Sequence, residues 1–235
     1  VNAVTKDGED EFHGSASASF GNFITTNDNI FTGLKNSDLD RRKDYKFQLS
    51  GPVWKDKLTF MINLRKQDNK GYLNGIHRFN VNDYSDFYLD QNDNFPIYVE
   101  DTYYSESKGT NDFVSMDFNE LQSFTGKLTS TIIPRVKLSF MFTRNDEKWG
   151  DYNHSFKYNP FGVGINHRDA DMLTFKVNHM ISGSAFYDLI LSTVENYYGW
   201  YVYENPEDSR YIHDSFLNNN GPGFYTGGQQ KGHTR

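Results

Sequence analysis

The stretch FTGKLTSTIIPRVKLSFMFTRN (residues 124–145) decides the fold class of this 235-residue chain. Apolar and polar side chains alternate along both of its arms, and Pro134 lies in the short connection between them. Because successive side chains of a β-strand point to opposite faces, each arm has one apolar and one polar face. Arms of about ten residues match tilted strands that cross a bilayer and exceed the usual strand of about 5–6 residues. The stretch predicts a β-hairpin of a soluble antiparallel sheet or of a membrane barrel.

Five further segments show the same alternation of apolar and polar residues. In the first of them, FHGSASASFGNF, the alternating positions carry very small side chains, with Ser on one face and Gly or Ala on the other. Together with the two arms of the hairpin, these segments predict an all-β antiparallel meander of about seven strands. The five segments are residues 12–23, 45–51, 58–65, 172–181 and 186–197.

Composition narrows the class of protein. Hydrophobic residues make up 36% of the chain and the mean hydropathy is −0.75, below the usual range for a globular protein. The chain nevertheless has 16 Tyr and 20 Phe, whereas disordered chains are poor in aromatic residues. A barrel with a wet lumen and long polar loops combines these properties, and so does a Tyr-rich sandwich that binds carbohydrate.

Charge and cysteine content exclude several functions. The net charge of −7 argues against a nucleic-acid partner, which would require a basic surface. Because the chain contains no cysteine, it can have no zinc-thiolate site, disulfide or cysteine nucleophile. No apolar run approaches the ~18 residues of a membrane-spanning helix, so only a closed β-barrel could place the chain in a membrane.

The connections between the predicted strands alternate in length. Long connections follow the first, third and fifth strands, at about residues 24–44, 68–120 and 146–171, whereas short turns join the other pairs. Outer-membrane barrels have short periplasmic turns and long extracellular loops, and a soluble sandwich has no reason to sort its loops in this way. The alternation therefore favours a transmembrane β-barrel.

An odd number of strands would leave such a barrel open. Bacterial single-chain barrels have even strand numbers. An open sheet exposes two unpaired edges, which lipid does not tolerate. We therefore expect the barrel to continue beyond Arg235 and the chain to be a fragment.

Two motifs resemble those of TonB-dependent outer-membrane receptors. VNAVTKDG (residues 1–8), followed by FHGS (residues 12–15), resembles the junction between the plug and the barrel in that family. LSGPVWKDKL (residues 49–58) is similar to the family's first periplasmic turn. Residues 71–73, after the third strand, are also similar to that family, and residues 206–211 and 223–228 resemble loops in the large receptors of Bacteroidetes-type bacteria.

The resemblance implies that residues 1–11 end a plug domain and form its junction, and that residues 12–235 are the N-terminal, incomplete part of a barrel of about 22 strands. Receptors of this family lie in the outer membrane of Gram-negative bacteria, in contact with its lipid. They bind a nutrient outside the cell and import it into the periplasm with energy from the TonB complex, which acts through the plug region. Receptors for iron-siderophores, cobalamin, glycans and peptides share this scaffold, so the resemblance names no nutrient.

We find no catalytic motif in the chain and expect no enzymatic activity and no cofactor. A Gly-rich phosphate loop, HExxH and a nucleophile elbow are all absent from the sequence. Gly162-Val163-Gly164 lacks the third glycine and the following helix of a dinucleotide site. Residues 90–101 have calcium-loop spacing, but Phe95 stands where the loop needs Gly and Asp101 where it needs a bidentate Glu.

The histidines predict no metal site, because no two of them are close in sequence at ligand spacing. His154 and His167 share a predicted loop, and His179 falls near a periplasmic turn. The seven are His13, His77, His154, His167, His179, His213 and His233.

Charged residues on the polar strand faces predict a hydrated barrel interior, with a plug contact or charged lumen as the functional alternative. These are Arg65, Lys127, Lys137, Lys176 and Asp188. Aromatic residues beside strand ends predict the belt at a bilayer interface, and those deeper in the loops are candidates to stack on a ligand. The first set is Tyr103, Tyr104, Tyr197, Tyr198, Trp200, Tyr201 and Tyr203, and the second is Tyr84, Phe87, Tyr88 and Tyr98.

Two other functions fit the same pattern. One is a secreted, Tyr/Trp-rich β-sandwich that binds carbohydrate, which would fold alone in water. The other is a small porin-like barrel without a plug.

Overall fold

The computed structural model describes Gly8 and residues 10–81, 85–86, 104–105 and 108–211. The segment 1–11 is therefore covered only at Gly8, Asp10 and Glu11. The calcium-like segment 90–101 and the segment 223–228, which resembles a receptor loop, lie outside the described residues. So do His213, His233, Tyr84, Phe87, Tyr88, Tyr98 and Tyr103.

Strands account for almost all of the regular structure. In chain order they are β1 (His13–Gly21), β2 (Arg42–Trp54), β3 (Leu58–Lys70), β4 (Asn74–Ile76), β5 (Ser85–Asp86), β6 (Tyr104–Ser105), β7 (Phe113–Ser115), β8 (Phe118–Ser130), β9 (Val136–Gly150), β10 (Ile165–Ser182) and β11 (Ala185–Tyr201). Two 3₁₀ turns, His154–Phe156 and Pro160–Gly162, lie between β9 and β10.

Seven of these strands form one antiparallel sheet in the order β1-β2-β3-β8-β9-β10-β11. Each strand pairs with the next of the seven along the chain, as a meander requires. The all-β fold and the seven-stranded antiparallel meander are thus confirmed. Within the described residues the sheet does not close, because β1 pairs only with β2 and β11 only with β10.

Six of the seven strands of the sheet are longer than the sequence predicts, and β1 is shorter. β10 begins at Ile165, seven residues before the predicted start, and runs for 18 residues. The added part carries Asp169 and Asp171, which belong to no apolar stripe and so give no alternating signal. β8 likewise begins at Phe118, ahead of the predicted hairpin. The backbone hydrogen bonds to β3 and β9 continue there, because they do not depend on whether the side chains are polar or apolar.

The connections are sorted by length between the two ends of the sheet, as predicted. Residues 55–57, 131–135 and 183–184 form short turns at one end, the turn end, and residues 22–41, 71–117 and 151–164 form long connections at the other, the loop end. Two turns use left-handed backbone at non-glycine residues, Asp56 (φ 59°) and Arg135 (φ 65°). Turns of this length have too few residues to fold back over either face of the sheet at the turn end.

The long connections pack on one another and form a body at the loop end, here called the loop body. The backbone amide of Ile76 in β4 donates to Lys157 O (2.7 Å), and the amide of Phe79 donates to Tyr158 O (3.0 Å). Phe79, Met116 and Phe156 are buried there. The short strands β4 and β7, which the sequence does not predict, pair within this body.

Candidate functional site

The sheet has two chemically distinct faces, set by the alternation of side chains. On the apolar face, Phe47, Leu64 and Phe124 are cross-strand neighbours. On the polar face, Gln48, Asn63 and Thr125 are neighbours one residue away. The prediction that each strand has one apolar and one polar face is confirmed for most positions. The polar face nevertheless carries some apolar residues, which include Met61, Leu121, Met141, Met172, Ile190 and Val194.

The apolar face is exposed. Phe140 is 44% exposed and Leu191 57% exposed, and no described strand or loop packs over them. Exposed patches beyond a few hundred Å² mark an interaction surface in soluble proteins. We call this surface the apolar band; its members are Tyr45, Phe47, Leu49, Phe60, Ile62, Leu64, Phe124, Leu128, Leu138, Phe140, Phe142, Leu173, Phe175, Val177, Leu189 and Leu191.

Towards the loop end, the same face becomes charged. We call this part the charged belt; it comprises Lys43, Lys66, Asp68, Lys70, Glu120, Arg144, Asp146, Lys148, Asp169, Asp171 and Glu195. Arg144 pairs with Asp146 (3.2 Å) on its own strand and with Asp171 (3.7 Å) on β10. Ion pairs this exposed contribute little stability, so the belt is a hydrated surface and not a structural clamp.

The boundary between band and belt slants across the sheet. In β2 the band ends at Tyr45, whose cross-strand partner in β3, Lys66, already belongs to the belt. In β8 it ends at Phe124, whose partner in β9, Arg144, also belongs to the belt. From β2 to β11 the boundary moves towards the turn end by about one residue per strand, which at a rise of about 3.3 Å and a spacing of about 4.8 Å gives an angle of about 35–40°.

The polar face has more basic than acidic residues, although the whole chain is acidic. The predicted set of strand charges, Arg65, Lys127, Lys137, Lys176 and Asp188, all lie on this face. Arg65 donates two hydrogen bonds to Asp44 (3.0 and 2.9 Å). Lys176 lies 3.8 Å from Asp188, to which Asn178 also donates.

Part of the polar face is buried near the turn end, which the sequence does not indicate. Ser50 and Met61 are each 2% exposed, and Thr129 is 6% exposed. Gly8 lies against this part, because a Cβ at Gly8 would overlap Thr59 and the Phe60 carbonyl oxygen. The alternation of polar and apolar residues shows which face a residue occupies but not what covers that face.

The described histidines do not converge. His77 contacts the Phe161 ring, and His154 makes a 2.9 Å hydrogen bond to the Tyr152 hydroxyl. His167 lies in β10 and stacks on Tyr201 (4.5 Å), so the prediction that it shares a loop with His154 is wrong. Within the described residues no three His, Asp or Glu side chains are arranged to hold a metal ion.

The aromatic residues near the chain's described end belong to a strand. Tyr197, Tyr198, Trp200 and Tyr201 continue β11, whereas sequence patterning ended this strand at Tyr197. The Tyr198 hydroxyl donates to Asn166 Oδ1 (2.9 Å), and the Tyr198 ring lies 6.2 Å from Trp149. These rings lie at the loop end of the sheet, as expected of residues beside strand ends.

Two loop carboxylates are held by neighbouring cations. The hydrogen bond from Lys43 lowers the pKa of Asp40. Arg210 lowers the pKa of Asp208 to about 2, because its guanidinium and its backbone N–H both donate to that carboxylate. Arg210 also lies 4.0 Å over the Tyr203 ring, so residues 203–211 form a local cluster.

Comparison with known proteins does not assign the chain to a family. The chain matches no protein-family model, no curated protein and no solved structure. No helix among the described residues is long and apolar enough to cross a membrane.

Proposed function

We propose that this chain is part of the wall of a transmembrane β-barrel in the outer membrane of a Gram-negative bacterium. The exposed apolar band carries the proposal. In water each Å² of such surface costs about 25 cal/mol, whereas hydrocarbon covers it without that cost. The polar face, with Arg65, Asp44 and Lys176, then lines a hydrated interior, as in barrels whose strands alternate apolar-out and polar-in.

The slanted boundary supports the same proposal. Strands of outer-membrane barrels tilt by about 35–45°, and the angle of the boundary matches this tilt. When tilted strands cross a flat bilayer, the edge of the lipid must cross the hydrogen-bonded rows at the tilt angle. A soluble sheet has no reason to displace the apolar stretch of each strand in the same direction, from β2 to β11, relative to the strand before it.

Loop sorting supplies the orientation. Short turns mark the periplasmic side of such barrels and long loops the extracellular side. In the proposed barrel, Asp56 and Arg135 therefore lie at the periplasm and the loop body lies outside the cell.

The edges of the sheet indicate that the barrel needs further strands. β1 and β11 run in the same direction, because the meander has seven strands, so they cannot pair with each other antiparallel. β11 contains no Pro, Lys or Arg, the residues that usually protect an exposed edge. We propose that an additional antiparallel strand covers each edge, and that residues 12–235 are an incomplete part of the barrel.

The finer identity rests on the two sequence motifs. VNAVTKDG with FHGS, and LSGPVWKDKL, support a TonB-dependent receptor with residues 1–11 as the end of its plug. The position of Gly8 on the polar face is compatible with a plug inside the barrel. In this proposal the protein binds a nutrient outside the cell, imports it with energy from the TonB complex, contacts outer-membrane lipid and is not an enzyme.

The proposal is tested on the full-length protein. We expect it to require detergent, to migrate differently on a gel before and after boiling, and to bind the purified periplasmic domain of TonB. A soluble monomer without detergent would overturn the barrel. A heat-modifiable barrel that fails to bind TonB would instead support the small porin-like alternative.

The secreted sandwich has weaker support. A sandwich needs a second sheet packed on the apolar band, and all long strands of the described residues belong to one sheet. It predicts that the 235-residue chain folds alone in water, whereas the barrel predicts that this chain aggregates.

A further inference from the structure

A groove of about 650 Å³ crosses the apolar face between two hydrogen-bonded rows of side chains. Phe47, Leu64 and Phe124 form much of one wall, and Tyr45 and Lys66 belong to the other. The backbone between the two rows forms the floor.

The groove changes character along its length. At β1 its walls end in Ala16 and Ala18, whose small side chains leave room beside Phe47. At β9 its walls end in Arg144 and Asp146. Because the rows cross the slanted boundary, the groove begins within the apolar band and ends within the charged belt.

Two cations, Lys66 and Arg144, and one carboxylate, Asp146, line the charged end of the groove. Arg144 is 52% exposed; its Nε donates to Asp146 and its Nη1 lies 3.7 Å from Asp171, which leaves the donors of Nη2 for another acceptor. Lys66 is exposed and makes no ion pair within the described residues. The two residues are two strand spacings apart across the sheet and two residues apart along the strand direction, about 12 Å in all, so both long side chains can reach one anionic group.

We propose that the groove binds an anionic lipid of the outer leaflet, with an acyl chain along Ala18, Phe47 and Phe124 and a phosphate at Lys66 and Arg144. The inference rests on the proposed barrel, which places the loop end outside the cell. The apolar part of the groove matches an acyl chain, and the two cations match the charged head group of the lipid. Because the groove is slanted, its apolar end lies deeper in the proposed bilayer than its charged end.

The test uses the full-length protein in lipid bilayers and spin-labelled lipids. Electron paramagnetic resonance separates lipid that is motionally restricted at the protein from free lipid. We expect spin-labelled phosphatidic acid to be restricted in preference to phosphatidylcholine. Lys66→Gln with Arg144→Gln should lower this preference by about fivefold for each cation removed, or about 1 kcal/mol each.

Two further variants keep the test decisive. Lys70→Gln with Lys148→Gln removes two cations from the same charged belt but outside the groove, and should leave the preference unchanged. Ala18→Leu fills the groove without changing charge, and should lower the restricted fraction of phosphatidic acid. An equal loss of the preference for phosphatidic acid in the Lys70/Lys148 variant, or no loss in the Lys66/Arg144 variant, would overturn the proposal that the groove binds an anionic lipid.

The outcomes also separate this inference from the proposed function. If no lipid of either kind is restricted, the chain is not a membrane wall and the barrel proposal fails. If both lipids are restricted equally, the barrel stands and only the anionic lipid site is lost.

Discussion

Phe124 in β8 and Arg144 in β9 are cross-strand partners on the apolar face, yet Phe124 ends the apolar band of its strand and Arg144 begins the charged belt of the next. Two residues in one hydrogen-bonded row thus belong to different environments. In the proposed barrel, the row is not parallel to the bilayer surface, and its members lie at different depths.

The slant predicts these depths. Phe47 and Glu195 occupy the same row, five strands apart. A tilt of about 35–45° separates them by about 15 Å along the bilayer normal. Nitroxide labels at Phe47→Cys and Glu195→Cys in the full-length protein should therefore differ strongly in accessibility to oxygen and to a polar nickel complex.

A control pair lies on the boundary itself. Labels at Tyr45→Cys and Leu191→Cys, in different rows but both at the limit of the band, should report equal depth. If the Phe47 and Glu195 labels report equal depth instead, the strands are not tilted as proposed.

The inside-out arrangement predicts unequal effects of lysine at adjacent positions of β10. Phe175 lies on the apolar face, inside the band between Leu173 and Val177, whereas Thr174 lies on the polar face, 3.2 Å from the Ser192 hydroxyl. Phe175→Lys should cost about 2–4 kcal/mol of folding free energy, because lysine at this position would face the hydrocarbon of the proposed bilayer. Thr174→Lys should cost much less, because its face is hydrated. Denaturant titration of the full-length protein in vesicles measures both, and equal costs would contradict the assignment of faces.

Arg41 anchors the loop body to the sheet. It is 8% exposed, and its guanidinium donates to Gly71 O (2.6 Å) and to Asn74 Oδ1 (2.5 Å). Asn74 in turn donates to Thr32 O (2.8 Å), so one side chain links two long connections. Arg41→Ala should leave buried acceptors unpaired at a cost of about 1–3 kcal/mol each, and proteases added outside cells should cut the loops faster.

Lys46→Ala is the control, because Lys46 is an exposed cation on the polar face of β2 that pairs with Asp44 and not with a loop residue. It should leave the loops as resistant as in the wild type. The gel shift on boiling should be unchanged in both variants, since the strands keep their pairing.

The cluster of residues 203–211 should be sensitive to acid. The pKa of Asp208 falls from its usual value of 3.8 to about 2, so the stabilisation from its ionised form is complete above pH 3.8 and is lost as the pH falls through about 2. Arg210→Gln should return the pKa of Asp208 towards its usual value. At a fixed pH between these values, pepsin should cut the Arg210→Gln protein faster near Tyr203 and Tyr211. Equal cleavage rates would show that the guanidinium does not hold this loop.

Sequence patterning predicted the sheet where apolar alternation was strong. The arms around Leu128 and Phe140 were assigned correctly because one side chain in two is apolar. The predicted start of β10 is wrong because Asp169 and Asp171 continue a strand with no apolar signal. β4 was missed because Asn74, Gly75 and Ile76 are too few to show a period.

The candidate lipid site was beyond reach of the sequence for a geometric reason. Ala18, Lys66 and Arg144 are far apart in the chain and come together only through the register of four strand pairs. A shift of one residue in any pair would move a side chain to the other face. Such a site becomes visible only when the register is known.

The even slope of the boundary bears on how the wall of the proposed barrel could grow in evolution. Each strand shifts its apolar stretch by about one residue relative to its neighbour, so every hairpin carries the boundary onward by the same step. A gene duplication that inserted one more hairpin, such as the pair β8 and β9, would keep all later strands aligned with a flat membrane. The unit of enlargement is therefore the hairpin, and strands could be added in twos without redesigning those already present.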